Sequence, residues 1–257
     1  MTPLPKMMVA PNGARLTKAD HPALPITLPE IVTCTRACRD AGADGLHLHL
    51  RDTDQSHLLD VGAYREALAE FSVKLPGFPV QITTEAVGQY DPAAQREVAL
   101  ESGASLVSAS VRELCRDPID ATRAFYEECA ARGIAIQHIL YDASDGELLA
   151  EVLPKDVLQS PDLQLIYVLG RYTAGQVSDR HDLDAFLNWA TRHEISPDWA
   201  ICAFGQNETA SLVYAAQKGG KCRVGFENSR LHADGRVASD NSERVREVIK
   251  AVQAPTE

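Results

Sequence analysis

The chain has 257 residues, 45% of them hydrophobic and 24% charged, with a formal net charge of -11. That size suits one large barrel or two small domains, and the mixed composition excludes a disordered or fibrous chain. The acidic balance argues against nucleic acid as the main partner, and no apolar run approaches the roughly 18 residues that a membrane-spanning helix needs.

The chain opens MTPLPKMMVAPNG, whose apolar part is short and broken by proline, unlike a secretory signal. Met7 to Asn12 then reads as a first strand closed by Pro11-Asn12-Gly13. Pro22, Pro25 and Pro29 mark an irregular stretch. Pro29 suits the first turn of a helix in which Ile31, Val32, Cys34, Ala37, Cys38 and Ala41 recur at helical spacing, and Gly42 ends it. The apolar segment GLHLHL follows as the second strand. Helix, short turn and apolar strand now alternate. Helices are expected over Val61–Lys74, Pro92–Ser102, Pro118–Arg132, Asp145–Leu153, Leu183–His193, Asn207–Lys218 and Asn241–Val252. Strands are expected over Pro79–Thr84, Ala104–Ser110, Ile134–Tyr141, Leu163–Leu169, Trp199–Phe204 and Cys222–Phe226. Eight strands, each followed by a helix, imply parallel pairing through crossover helices and the size of a (β/α)8 TIM barrel. An open doubly wound sheet is the alternative, but no Gly-x-Gly-x-x-Gly follows the first strand. No linker or shift in composition divides the chain, so one α/β domain over residues 1–257 is expected. None of the six cysteines forms Cys-x-x-Cys, which fits scattered reduced thiols in a cytoplasmic protein.

Within the second strand His47 and His49 lie two residues apart, so both imidazoles share one face while Leu46, Leu48 and Leu50 share the other. Two polar rings side by side on a strand flanked by leucines suit a transition metal, for which neutral imidazole is a common ligand. In a TIM barrel the active site sits at the carboxyl ends of the strands. Those ends hold Asn12 and Arg15; His49, Arg51 and Asp52; Thr83, Thr84 and Glu85; Ser108, Ser110 and Arg112; His138, Tyr141 and Asp142; Arg171; Asn207 and Glu208; and Arg223, Glu227 and Asn228. The set is rich in arginine although the chain is acidic. Strands 2 and 8 both flank strand 1 in a closed barrel, so their ends lie only about 10 Å apart. Glu227 therefore completes a His47, His49 and Glu227 site, and three protein ligands with an open position describe a catalytic metal. His138 is expected as a core histidine. His21, His57, His181, His193 and His232 fall in polar loops or at helix ends, where solvated rings are expected.

The stretches AGADGLHLHLRD, PVQITTE, GASLVSAS and GGKCRVGFEN together carry a resemblance, over nearly the whole chain, to the β-keto acid cleavage enzyme family. The resemblance implies a zinc-dependent TIM barrel that condenses a β-keto acid with acetyl-CoA, giving acetoacetate and a new acyl-CoA. It places zinc on His47, His49 and Glu227, and the active-site arginine on Arg223. Its substrate-contacting hydroxyls fall most nearly on Thr83 and Ser108, with Ser110 and Asn12 as further substrate-binding candidates at the strand ends. The aspartate common after the metal glutamate is Asn228 here, and an amide cannot take a proton at neutral pH. Either Asp52 or a metal-bound hydroxide serves as the base instead, or the reaction differs. Glu85-Ala86 stands where a glycine pair is usual, and Arg15 stands where relatives taking amino-bearing substrates carry an acid, which favours a carboxylate or neutral substrate tail.

Polarisation of the substrate ketone by the metal, with Arg223 facing the developing oxyanion, is the expected chemistry. Zinc is the default for this donor set, and manganese, iron or nickel also fit. A metal-dependent aldolase, decarboxylase or hydrolase of a small oxo acid, and a non-catalytic ligand-binding barrel, stay open as alternatives. A homo-oligomer is expected, with outward helices such as Val61–Lys74 as candidate contact faces.

Overall fold

Val9, Leu46, Ile82, Val107, Leu165, Ile201 and Val224, one from each of seven short strands, are shielded from solvent on the side facing the helices. Ile139, Ile166, Val168 and Cys202 are shielded on the inner side, and burial on both strand faces is what a parallel sheet wrapped by helices demands. The structure, a computed structural model, describes residues 3–254; Met1, Thr2 and residues 255–257 of the expected domain lie outside the described residues. The barrel strands are β1 (Met7–Val9), β2 (Gly45–Leu48), β3 (Val80–Thr83), β4 (Leu106–Ser110), β5 (Ala135–Leu140), β6 (Gln164–Leu169), β7 (Asp198–Ala203) and β8 (Lys221–Val224). The helices between and after them are α1 (Leu28–Asp40), α2 (Val61–Lys74), α3 (Pro92–Glu101), α4 (Ile119–Ala131), α5 (Ala143–Val152), α6 (Asp182–Arg192), α7 (Glu208–Gln217) and α8 (Asn241–Gln253). Each strand pairs with its neighbours in chain order, and the ring closes through β1, which pairs with both β8 (Val9 opposite Val224) and β2 (Val9 opposite Leu46). The expected (β/α)8 barrel is thus what the chain forms.

Helix starts follow from short acidic side chains. Asp60, Asp91, Asp142 and Asp240 each accept a backbone N–H of the first turn of α2, α3, α5 and α8, and Glu30 reaches back to the N–H groups of Ile26 and Thr27 at the head of α1. Side chains then sort by strand parity. Leu165, Tyr167 and Leu169 of β6 join the large core between strands and helices, where Tyr167 stacks on Phe186 of α6, while Ile166 and Val168 join Ile139, Cys202 and Phe204 inside the barrel.

The structure corrects three expectations. The second strand does not run on through Asp52. It ends at Leu48, and Leu50–Arg51 turns aside to pair antiparallel with His57–Leu58. Pairing with β1 stops at Leu46 and pairing with β3 at Leu48, so the segment beyond finds its backbone partners in a hairpin of its own. The Arg51 guanidinium fastens the turn, donating to the carbonyls of Gly13 (2.7 Å), Gln55 (2.6 Å), Asn12 (3.1 Å) and Leu16 (2.8 Å). Second, two short helices, Val111–Leu114 and Lys155–Leu158, occupy stretches read as connections. Third, His21, His57 and His232 are buried rather than solvated, because each loop folds inward onto a partner: Ala238 O for His21, Glu85 O for His57, and the Glu247 carboxylate for His232. No helix among the described residues is long and apolar enough to cross a membrane.

His138 of β5 is buried as expected, edge-on to Tyr126 of α4, and burial lowers its pKa to about 3. The unfolded chain takes up a proton near pH 6.5 that the folded chain refuses, so this group's contribution to stability is full above pH 6.5 and falls away as the pH drops toward 3. We expect His138→Phe, which keeps an aromatic ring on Tyr126, to show a shallower loss of unfolding free energy between pH 6.5 and 4 than the parent. The difference in slope should approach about 1.4 kcal/mol per pH unit, read by urea denaturation at each pH.

Candidate active site

The interior of the barrel carries a line of polar side chains. His47 on β2 stands opposite Gln81 on β3, and its Nδ1 lies 2.8 Å from Gln81 Oε1. Gln81 Nε2 donates to Gln137 Oε1 (2.8 Å), and Gln137 Nε2 donates to Leu165 O (3.2 Å). The line runs in one direction, so the hydrogen of His47 sits on Nδ1 and the lone pair on Nε2. That lone pair faces His49, with the two Nε2 atoms 3.1 Å apart.

The carboxylate of Glu227 arrives from the turn after β8. Gly225 in that turn has φ +142° and passes so close to Ala10 that a Cβ there would lie 2.4 Å from the Ala10 carbonyl oxygen. Gly13, at φ +57°, lies beneath Glu227 itself, and a Cβ on it would stand 2.6 Å from Glu227 Cγ. Helices α7 and α8 hold the turn from behind. Asn241 accepts the Phe226 N–H (2.8 Å) and donates to Pro11 O (3.0 Å); Glu208 accepts the Gly225 N–H (3.2 Å) and is paired at 2.6 Å with Arg244, both side chains fully buried.

Glu227 Oε2 ends 3.4 Å from His49 Nε2 and 3.7 Å from His47 Nε2, while Oε1 takes the Arg223 guanidinium at 2.9 Å. Oε2 is buried and has no hydrogen-bond partner among the described residues, and neither has His49 Nδ1. Burial lowers the pKa of His47 to about 4, Arg223 adding to it, and lowers that of His49 well below the usual imidazole value. Burial alone would raise Glu227, but Arg223, His47, Arg171 and Arg51 outweigh it and hold the carboxyl below its ordinary range. Two neutral imidazoles and an ionised carboxylate therefore aim unshared lone pairs at one point. Donor atoms bound tetrahedrally at about 2.0–2.1 Å stand roughly 3.3 Å apart, so the set and its spacing fit a divalent transition-metal ion.

Above the three side chains opens a cavity of about 220 Å3. Ile139, Val168, Phe204 and Phe226 supply its apolar wall; Arg15, Arg171, Arg223, Glu85, Tyr141 and Asn228 supply polar groups. Of the residues singled out from sequence, the fold brings His47, His49, Glu227, Arg223, Asn228, Asn12 and Thr83 to this cavity, and with them Arg15, Glu85, Tyr141 and Arg171 from the strand ends. Both side-chain amide atoms of Asn228 are buried without a partner, as is Asn12 Oδ1, whereas Asn12 Nδ2 is spent on Pro25 O and His49 O. Thr83 Oγ1 accepts the Glu85 N–H at 3.0 Å.

Three expected residues lie elsewhere. Asp52 is exposed in the hairpin, where its carboxylate accepts the N–H of Thr53, because the strand it was assigned to ends before reaching it. Ser108 and Ser110 are buried in β4 and do not line the cavity; Ser108 Oγ points toward Ile82 O of the adjoining strand at 3.5 Å. Conversely, Glu85 and Arg171 form an ion pair at the cavity (3.1 Å), with the guanidinium 5.0 Å from the centre of the Phe204 ring, and His57 packs on His49 with ring centres 5.2 Å apart. Gln81 could have been found from sequence, since it lies inside a strand of otherwise apolar and hydroxyl residues. His57 had no such signal in its polar loop.

Comparison with known proteins gives a consistent set of likenesses. The profile of the family described as "beta-keto acid cleavage enzyme" matches residues 7–255. The "3-keto-5-aminohexanoate cleavage enzyme" of Acetoanaerobium sticklandii is 26% identical over 244 residues, covering 93% of this chain and 88% of that one. The "3-oxoadipate:acetyl-CoA acetyltransferase" of Cupriavidus necator is 27% identical over 250 residues, covering 93% and 85%. Among solved structures, ObcA with oxaloacetate superposes with a TM-score of 0.66 at 16% identity, over 89% of this chain but only 63% of the ObcA chain. At that identity the likeness establishes the barrel alone.

Gln81→Leu keeps the volume at β3 but removes the acceptor that orients His47. We expect it to weaken uptake of a divalent cation by roughly 10–100-fold, measured by competition with a chromogenic chelator, with the circular dichroism spectrum unchanged.

Proposed function

The chain belongs to the beta-keto acid cleavage enzyme family, and on that premise we propose that His47, His49 and Glu227 hold a divalent ion, zinc by default, at the centre of its reaction. The reaction joins a β-keto acid to acetyl-CoA. Carbons 1 and 2 of the keto acid leave in acetoacetate with the acetyl group, and the remaining acyl group passes to coenzyme A. The observation that carries the assignment of the site is the convergence of three buried donors, one with an orphaned carboxylate oxygen, at the floor of a cavity that also holds Arg223. When bound there, the ion supplies Lewis-acid polarisation of the substrate ketone.

The chain's own residues do the rest. Arg223, anchored to Glu227 and buried, presents a fixed positive charge to the oxygen on which charge develops, usually the largest single contribution to such catalysis. The Thr83 hydroxyl donates to the substrate carboxylate, Asn12, whose Nδ2 is spent, offers its Oδ1 as an acceptor, and the amide of Asn228 offers a donor group and an acceptor to the bound acids. The buried apolar wall excludes water that would hydrolyse the thioester. At the mouth, Arg15 is exposed and among the described residues makes no ion pair, which supports keto acids with a carboxylate or neutral tail over those with an ammonium group. The name of the Cupriavidus relative points to a diacid of that kind. We place this activity in a single domain of a cytoplasmic homo-oligomer; Val73 of α2, 73% exposed, supports that helix as a contact face.

The test is acetoacetate formation from acetyl-CoA and a panel of keto acids by purified protein of known metal content. We expect turnover with dicarboxylic or neutral 3-oxo acids, at least about 10-fold weaker use of amino-bearing ones, and loss of both metal and turnover in His49→Ala. Absence of acetoacetate across the panel with metal bound would overturn the reaction assigned.

A further inference from the structure

A condensation of this kind must first remove a proton from C2 of the keto acid. Neither the imidazoles aimed at the ion nor Asn228, an amide, can serve as that base. Among the described residues that line the cavity, the acids are Glu85 and Glu227 alone. Glu227 is committed to Arg223 and to the two histidines. Asp52 sits outside, on the exposed hairpin.

Glu85 is held for the task from several directions. Its backbone N–H is fixed by Thr83 Oγ1 (3.0 Å), and its carbonyl accepts from His57 Nε2 (2.9 Å), so the residue cannot drift from the cavity wall. Arg171 takes Oε1 at 3.1 Å and is itself seated over Phe204. No hydrogen bond among the described residues occupies Oε2. From this placement we propose that Glu85 is a catalytic residue, the base that takes the C2 proton and gives it back.

In the step, Oε2 bonds to the hydrogen of C2. The C–H electron pair becomes the C2=C3 bond, and the C3=O pair moves onto oxygen, where Arg223 faces it. C2 then bonds to the acetyl carbonyl carbon as its C–S bond breaks and coenzyme A leaves as the thiolate. The thiolate adds to C3, and the C2–C3 bond breaks with its electron pair on C2 to give the new acyl-CoA. The protonated Glu85 returns its hydrogen to C2, so no proton is gained or lost over the cycle. Burial pushes the Glu85 carboxyl above its usual range against the pull of Arg171, which brings it toward the basicity that general-base catalysis at neutral pH requires. The inference rests on the family reaction proposed above, and its failure can be told apart from a failure of that reading.

The experiment follows loss of the C2 proton signal of a turned-over keto acid in D2O by NMR, without acetyl-CoA, alongside acetoacetate formation with it. Glu85→Gln should lower both the enzyme-catalysed exchange rate and kcat by roughly 100-fold or more, with metal content and KM within about threefold of the parent. Glu85→Asp should retain part of both. Exchange at the parental rate in Glu85→Gln overturns the proposal, as does a loss of turnover that comes with lost metal or a KM raised in proportion. A parent protein that makes no acetoacetate but exchanges C2 protons through Glu85 defeats the family reaction and leaves the base in place.

Discussion

Two imidazole nitrogens and one carboxylate oxygen are pressed within 3.1–3.7 Å of one another at the buried floor of a cavity. Lone pairs so placed repel, and only a shared cation or a proton relieves the repulsion. The barrel creates this situation by closing on β1, whose neighbours on either side are the strands that deliver the histidines and the glutamate. Most of the surrounding features serve to keep that arrangement from relaxing. The glutamine line sets the His47 tautomer, Gly13 and Gly225 admit the glutamate and its turn where a side chain would block them, and the buried Glu208–Arg244 pair and Asn241 back the turn from behind.

The cavity is cationic in an acidic protein. Arg15, Arg171 and Arg223 converge on it, while most of the acidic residues that make the net charge -11 lie on the outer helices and loops. A partly desolvated pocket raises the strength of each charge within it, so a few arginines decide which anion enters whatever the total charge of the chain. The same low polarity makes Glu85 costly to bury unless it is paired, and Arg171 meets that need without saturating the carboxylate.

The fold was legible because the alternation of apolar strand and amphipathic helix is a local signal repeated around the ring. The convergence of His47, His49 and Glu227 was legible because parity fixes which side chains share a face, and closure fixes which strands are neighbours; together these relate His47 to Glu227 across most of the chain. Features set by departures from regularity were not. Asp52 was misplaced because the pairing of β2 with its neighbours stops at Leu48, a matter of register between strands that a single segment does not encode. Ser108 and Ser110 were assigned by position at a strand end, but which strands reach the cavity depends on stagger around the barrel. Glu85 and Arg171, 86 residues apart, meet through two loops whose paths no periodicity describes.

The seat of Glu227 over Gly13 also bears on how the protein is made. Synthesis delivers the histidines early and the glutamate near the end, and contacts between segments so distant in the chain form slowly. A nascent polypeptide whose last strand is still inside the ribosome carries two exposed imidazoles and an empty niche in place of the third donor. With the metal site proposed above, an ion captured at that stage would meet only two of its three donors, and full loading would coincide with ring closure.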